Sequence, residues 1–136
     1  MIGAGVGGLT LAARTADLGK SVVLIENKAF GGTAVNAGAI PKKIMWNLST
    51  FLEEAKLMKH YGVENTEKLT LDYTEFRKAL LKHIEGVQEE FRRTIEKPNL
   101  EFFTEQAQFT ANSVVKVGDR TFTSEHIVIA CGSDVP

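Results

Sequence analysis

The chain has few of the groups that most often carry redox, metal or nucleophilic chemistry. Its 136 residues include a single cysteine, Cys131. One thiol cannot close an intramolecular disulfide, and it is too few for a cysteine-based zinc site. The three histidines, His60, His83 and His126, are scattered without metal-ligand spacing, so no metal site is expected. Net charge is also nearly absent: 16 Lys and Arg against 17 Asp and Glu give -1 at pH 7. That balance gives no electrostatic reason to seek nucleic acid or an anionic membrane as a partner. No stretch approaches the roughly 18 uncharged apolar residues that a membrane span needs. The first twenty residues are fairly apolar, but no basic region precedes the apolar run, and a glycine pattern accounts for them better than a signal peptide does. A cytoplasmic protein is the default expectation, mitochondrial or plastid if a targeting segment has been removed.

What remains is an ordinary globular composition, 43% hydrophobic and 24% charged. The length suits one domain or part of one, and a chain of this size can bury roughly two-thirds of its unfolded surface. Leu9 to Leu18 reads as a helix ended near Gly19. Ser21 to Ile25 is a nearly continuous apolar run, as expected of a buried parallel strand. A glycine-rich connection over residues 27–43 leads to a helix from about Lys42 to His60, with Ile44, Leu48, Leu52 and Ala55 on one apolar face and Met45 and Phe51 beside it. The clearest helix runs from Tyr73 to Ile95. Tyr73, Phe76, Leu80, Ile84, Val87, Phe91 and Ile95 recur near a period of 3.6, and Asp72 with Glu75 forms a capping-box-like pair. Leu100 to Phe103 is β-prone. Val114–Val117 and Arg120–Thr123 flank a tight turn at Gly118-Asp119, and His126 to Ala130 reads as a second buried strand. No linker or repeat divides the chain.

Gly3-x-Gly5-x-x-Gly8, with Gly7 inside it, lies between a strand stub and a helix. Gly3 permits the tight turn, Gly5 lets backbone approach a pyrophosphate, and Gly8 lets helix and strand pack closely. The helix N-terminus offers N–H groups and partial positive charge to phosphates. Ala12 is small where the helix must approach the sheet. Glu26 closes the following strand, where a carboxylate can accept both hydroxyls of an adenosine ribose and repel a 2′-phosphate. These features suit FAD or NAD(H) over NADP(H), without separating the first two.

The next segment separates them. Gly31-Gly32-Thr33-Ala34-Val35-Asn36-Ala37-Gly38-Ala39-Ile40-Pro41-Lys42-Lys43 resembles the signature G-G-T-C-V-N-x-G-C-x-P-[KS]-K of the class I pyridine-nucleotide-disulfide oxidoreductases. The continuation Lys42-Lys43-Ile44-Met45-Trp46-Asn47 is most similar to glutathione reductases. The resemblance runs through Gln106-Ala107-Gln108-Phe109 to Ile129-Ala130-Cys131-Gly132-Ser133, where Cys131 stands in place of the family's usual threonine. It implies an α/β fold: a Rossmann-like FAD/NAD(P)-binding domain with a parallel sheet, helices and a small antiparallel hairpin element. Residues 1–136 would be the N-terminal portion of that domain, single and incomplete. It implies FAD as cofactor, with Gly32 and Thr33 against the pyrophosphate and Lys42 near the flavin ring. Ala107 would present backbone to the adenine, and Ala130 and Gly132 would pass close to the cofactor. In the full-length family NADPH reduces the flavin, glutathione disulfide is the substrate and the enzyme is a homodimer; NADPH binding and dimerisation are not expected of this portion. Trp46 and Cys131 are expected to be packing residues, with Cys131 small and buried.

The departure from the signature is chemical. The family's redox cysteines would stand at Ala34 and Ala39, and alanine has no sulfur to attack a disulfide or to pair with flavin. No disulfide reductase turnover is expected, and no residue is assigned a catalytic role. Only Met1 and Ile2 precede Gly3, where a parallel strand averages about 5–6 residues. Weak bridging of the sheet, marginal stability and weak FAD binding are expected in consequence. Three readings stay open: a portion of a glutathione-reductase-like enzyme, a non-catalytic FAD/NAD-binding module, and a structural remnant.

Overall fold

The structure, a computed structural model, describes residues 1–133. The element order is α1 (Val6–Asp17), β1 (Val22–Ile25), α2 (Gly32–Asn36), α3 (Ala39–Leu57), α4 (Tyr73–Thr94), β2 (Leu100–Phe103), β3 (Ala107–Ala111), β4 (Val114–Val117) and β5 (Arg120–Thr123), with short 3-10 turns at Met58–Tyr61 and Thr66–Lys68.

β1 pairs in parallel with β2, Val22 opposite Leu100 and Ile25 opposite Phe103. Ile2 forms single parallel bridges to Ile25 on one side and Ile129 on the other. The parallel layer therefore runs β2, β1, Met1–Ile2, then the segment at Ile129. Four hydrogen bonds make the junction at Ile2: Gly3 N–H to Ile25 O (2.7 Å), Ile25 N–H to Met1 O (3.0 Å), Ile2 N–H to Val128 O (2.9 Å) and Ala130 N–H to Ile2 O (2.7 Å).

Successive strand residues point to opposite faces, and here both faces are covered. Val22 and Leu24 join Leu9, Ala12, Ala16, Phe30, Ile95 and Leu100 in a core on the helical side. Val23 and Ile25 join Val115, Val117, Phe103 and Phe122 on the other side, under the antiparallel meander β3-β4-β5. Two-sided burial is the physical reason that Val22–Ile25 carries no polar residue. The result is three layers: helices, parallel sheet, meander.

Several boundaries differ from the sequence reading. α1 starts at Val6 instead of Leu9, because Gly5 is its extended N-cap and Gly7 and Gly8 form the first turn. Close packing of that turn outweighs glycine's poor helix propensity. α3 starts at Ala39 instead of Lys42, placing buried Pro41 third in the helix. A first-turn N–H has no intrahelical partner, so proline is tolerated there. The connection between β1 and α3 folds partly into α2. β3 turns the expected hairpin into a three-stranded meander.

The expected buried strand His126–Ala130 is an extended segment with one bridge, and Ile129 is 66% exposed. The segment is held to the sheet by the hydrogen bonds about Ile2. Cys131, expected to be buried, is exposed, with Sγ 3.7 Å from Ile2 O. Trp46, expected to pack, is 72% exposed, and of the predicted α3 face only Ala55 is buried. α3 contacts α2, α4 and the Thr66–Lys68 turn along one side, which leaves Trp46, Met45 and Phe51 outward. In α4, Asp72 Oδ1 accepts from Thr74 N–H (2.9 Å) and Glu75 N–H (3.0 Å), whereas the Glu75 carboxylate turns to Lys78 Nζ. The cap is thus one-sided. No helix among the described residues is long and apolar enough to cross a membrane.

Candidate functional site

The carboxyl ends of the parallel strands lead into several of the residues singled out in the sequence. The Gly3–Gly8 turn follows Ile2, Glu26 follows β1, Ala107 lies four residues past the end of β2, and Ala130 and Gly132 follow the bridge at Ile129. Open α/β sheets bind their ligands at this edge.

Two glycine turns meet there. Gly5 (φ −70°, ψ 176°) caps α1 without a side chain, so no side chain occupies the N–H groups of the helix's first turn. Gly31 bridges to Gly5, and its N–H donates to Ala4 O at 2.9 Å. A Cβ on Gly32 would stand 2.9 Å from Gly5 Cα, so the two backbones touch because Gly32 lacks a side chain; a Cβ on Gly5 would meet Gly32 Cα only at 3.9 Å. Gly3 is left-handed (φ 104°), and a Cβ on it would stand 2.6 Å from the Ala130 carbonyl carbon. A Cβ on Gly8 would overlap the Gly3 carbonyl. Gly3, Gly8 and Ala130 therefore form one closed packing contact. Gly7 is different: among the described residues a Cβ there would meet nothing within 4 Å. The exposed face of the fingerprint is at Gly5 and Gly7.

The Glu26 carboxylate grips this loop. Oε2 accepts from Ala4 N–H at 2.7 Å and Oε1 from Lys28 N–H at 2.8 Å. Each oxygen keeps a further lone pair for an incoming hydroxyl. Thr33 is exposed in the first turn of α2, and its carbonyl accepts from Ala37 N–H (3.0 Å) and Gly38 N–H (2.6 Å). Lys42 is exposed in the first turn of α3, its N–H on Gly38 O at 3.1 Å. Ala34 is half-buried on α2 and Ala39 is exposed at the start of α3. Gly132 is exposed and left-handed (φ 75°), and among the described residues nothing lies within 4 Å of a Cβ built on it. Ala107 stands apart from the glycine turns, paired with Val117 and packed in the meander core. The described residues hold no group of three or more His, Cys, Asp or Glu that could bind a metal.

Two supporting features were not read from the sequence. Asn36 Nδ2 donates to Phe30 O (3.0 Å) and Gly32 O (2.9 Å), and Gln88 Nε2 on α4 donates to Asn36 Oδ1 (2.5 Å). Buried Phe30 packs edge-on against Phe102, ring centroids 5.3 Å apart, and the Arg92 guanidinium lies 5.4 Å from the Phe30 ring centre. The fixed place of Asn36 in the signature was the available signal for the first. Gln88, 52 residues away, carries none.

The residues present fit a dinucleotide. The glycine floor at Gly5 and Gly32 is narrow and open above Gly7, the helix start supplies N–H groups, and Glu26 offers acceptors beside them. Comparison with known proteins agrees. The family described as Pyridine nucleotide-disulphide oxidoreductase matches residues 1–136. The glutathione reductase of Schizosaccharomyces pombe is 32% identical over 139 residues, covering 97% of this chain and 30% of that protein. That of Yarrowia lipolytica is 32% identical over 157 residues, covering 100% and 33%. That of Nostoc is 34% identical over 132 residues, covering 97% and 28%. The chain thus spans about a third of the length of these relatives. Among solved structures, the Cu(II) complex of HOCl-induced flavoprotein disulfide reductase RclA from Escherichia coli superposes with a TM-score of 0.68 at 24% identity, covering 91% of this chain and 25% of that one. At that identity the likeness concerns the fold. Sequence and fold together establish that the chain belongs to the pyridine nucleotide-disulphide oxidoreductase family.

Proposed function

We propose that this chain is the FAD cradle of a glutathione-reductase-like flavoprotein, and that it holds the cofactor without disulfide chemistry. The observation that carries the first half is the contact of two side-chain-free turns, Gly5 against Gly32, at the uncapped start of α1. FAD is the cofactor implied by the family. When bound, it would supply an acceptor for two electrons; the chain's own residues would bind and orient it.

In this reading the pyrophosphate lies over Gly5 and Gly7 with Gly32 and Thr33 beside it, and Glu26 takes the ribose hydroxyls. Lys42 supplies a cation near the flavin ring, Ala107 meets the adenine through its backbone, and Ala130 and Gly132 border the cofactor. Residues 1–136 act as one portion of a FAD-binding domain. NADPH and glutathione disulfide belong to the full-length activity that the relatives' name suggests.

Ala34 and Ala39 carry the second half, since neither can form a thiolate or a mixed disulfide. Their absence of sulfur also favours a second reading, a binding module with no reaction of its own. Titration of the chain with FAD, followed by flavin fluorescence, tests the cradle: saturable 1:1 uptake is expected, and its absence sinks the reading. NADPH-dependent reduction of glutathione disulfide, measured on this segment joined to the remaining domains of a glutathione reductase, tests the chemistry. Turnover is expected only after Ala34→Cys and Ala39→Cys together; turnover with both alanines in place would overturn it.

A further inference from the structure

Gly31 (φ 94°) and Gly32 (φ 63°) are consecutive left-handed residues. Gly31 is bridged to Gly5, its N–H on Ala4 O, and Gly32 opens α2; the carbonyls on either side of Gly31 take a further, side-chain partner. Asn36 holds both flanks, since its two amide protons go to Phe30 O and Gly32 O. Its remaining polar atom, Oδ1, accepts from Gln88. Rotating the carboxamide by half a turn would aim its oxygen at two carbonyl oxygens and its NH2 at the Gln88 NH2. The two carbonyls and the donor on Gln88 therefore agree on one orientation of the Asn36 amide, and Gln88 completes it. Both side chains are half-buried, where an unmatched polar pair is costly.

We propose that Asn36 and Gln88 are positioning residues that set the affinity of the dinucleotide cradle by locking the Gly31-Gly32 turn against Gly5 from helix α4. The proposal rests on the reading of this edge as a FAD site, and adds to it residues that touch no part of the ligand. Gln88 acts through Asn36, and Asn36 acts through the backbone of the turn.

The test separates hydrogen-bond donation from packing. Gln88→Glu keeps the size and removes the donor, whereas Gln88→Arg keeps a donor on a long side chain. FAD affinity and melting temperature are measured for both variants and the unaltered chain, with amide hydrogen exchange at Gly32 and Thr33 followed without ligand. Gln88→Glu should weaken FAD binding about tenfold and speed exchange at the turn, while Gln88→Arg stays near the unaltered chain. Equal affinity and equal exchange in all three would overturn the proposal. So would equal losses in both variants that track melting temperature, which would make Gln88 a packing residue only. If the unaltered chain takes up no FAD, the cofactor reading fails separately, and unchanged exchange in Gln88→Glu would still refute control of the turn.

Discussion

The Glu26 carboxylate already accepts two backbone N–H groups, one from the fingerprint loop and one from the turn after β1. It therefore shapes the loop, besides the ribose contact proposed for it. Gln at this position would turn an NH2 toward one of those N–H groups. Glu26→Gln is expected to cost about 1–3 kcal/mol of stability, read from urea unfolding, and to weaken FAD binding as well. Loss of affinity with unchanged stability would show that Glu26 does not shape the free loop. The glycines divide in the same way. Gly7 sits in a helical turn with open space beside it. Gly7→Ala should raise stability by up to about 1 kcal/mol, since alanine is the better helix former. It should nevertheless weaken FAD binding, because the new methyl enters the space assigned to the pyrophosphate. Unchanged FAD affinity would place the phosphates elsewhere.

At the scale of elements, α4 joins the core to the cradle. Its inner stripe reaches the core through Phe91 and Ile95, and its Gln88 reaches the cradle. Asp72 closes its first turn with two hydrogen bonds. Asp72→Ala should cost about 1 kcal/mol in chemical denaturation. Gly86 lies mid-helix, and among the described residues a Cβ on it would meet nothing within 4 Å. Gly86→Ala should therefore gain about 0.5–1 kcal/mol and leave FAD affinity unchanged. A matching change in affinity from Gly86→Ala would show that the stability of α4 as a whole is felt at the cradle. The helix itself was legible from its spacing, since seven apolar residues at a helical period allow little else. Its hold on Asn36 was not, because no local pattern reports which distant side chain will complete an amide.

At the scale of the molecule, the layers meet at the parallel sheet. Met1 and Ile2 tie β1 to the Val128–Ala130 segment. For a polypeptide starting at Met1, the α-ammonium donates to Val23 O at 2.6 Å, and burial lowers its pKa from the ordinary 8.0. Below 8.0 the unfolded chain holds this proton more tightly than the folded one. Stability should therefore rise with pH as it approaches 8.0 and level off above it. Acetylation of the amino group should remove that slope in melts recorded across the range; a slope that survives acetylation would assign it to other groups.

The sequence by itself determined the local alphabet of this protein: the glycine fingerprint, the apolar strand at Val22–Ile25, the long helix from Tyr73, and the glycine-rich segment Gly31–Lys43. Each is set by residue type and spacing within a few turns of chain. The tertiary structure decided where those pieces meet. Two glycine turns, 26 residues apart from Gly5 to Gly31, became one floor only through packing. Ile129 and Cys131, apolar or thiol-bearing and readily taken for core, lie exposed. Exposure depends on what covers a residue, and that is a property of neighbours distant in the chain.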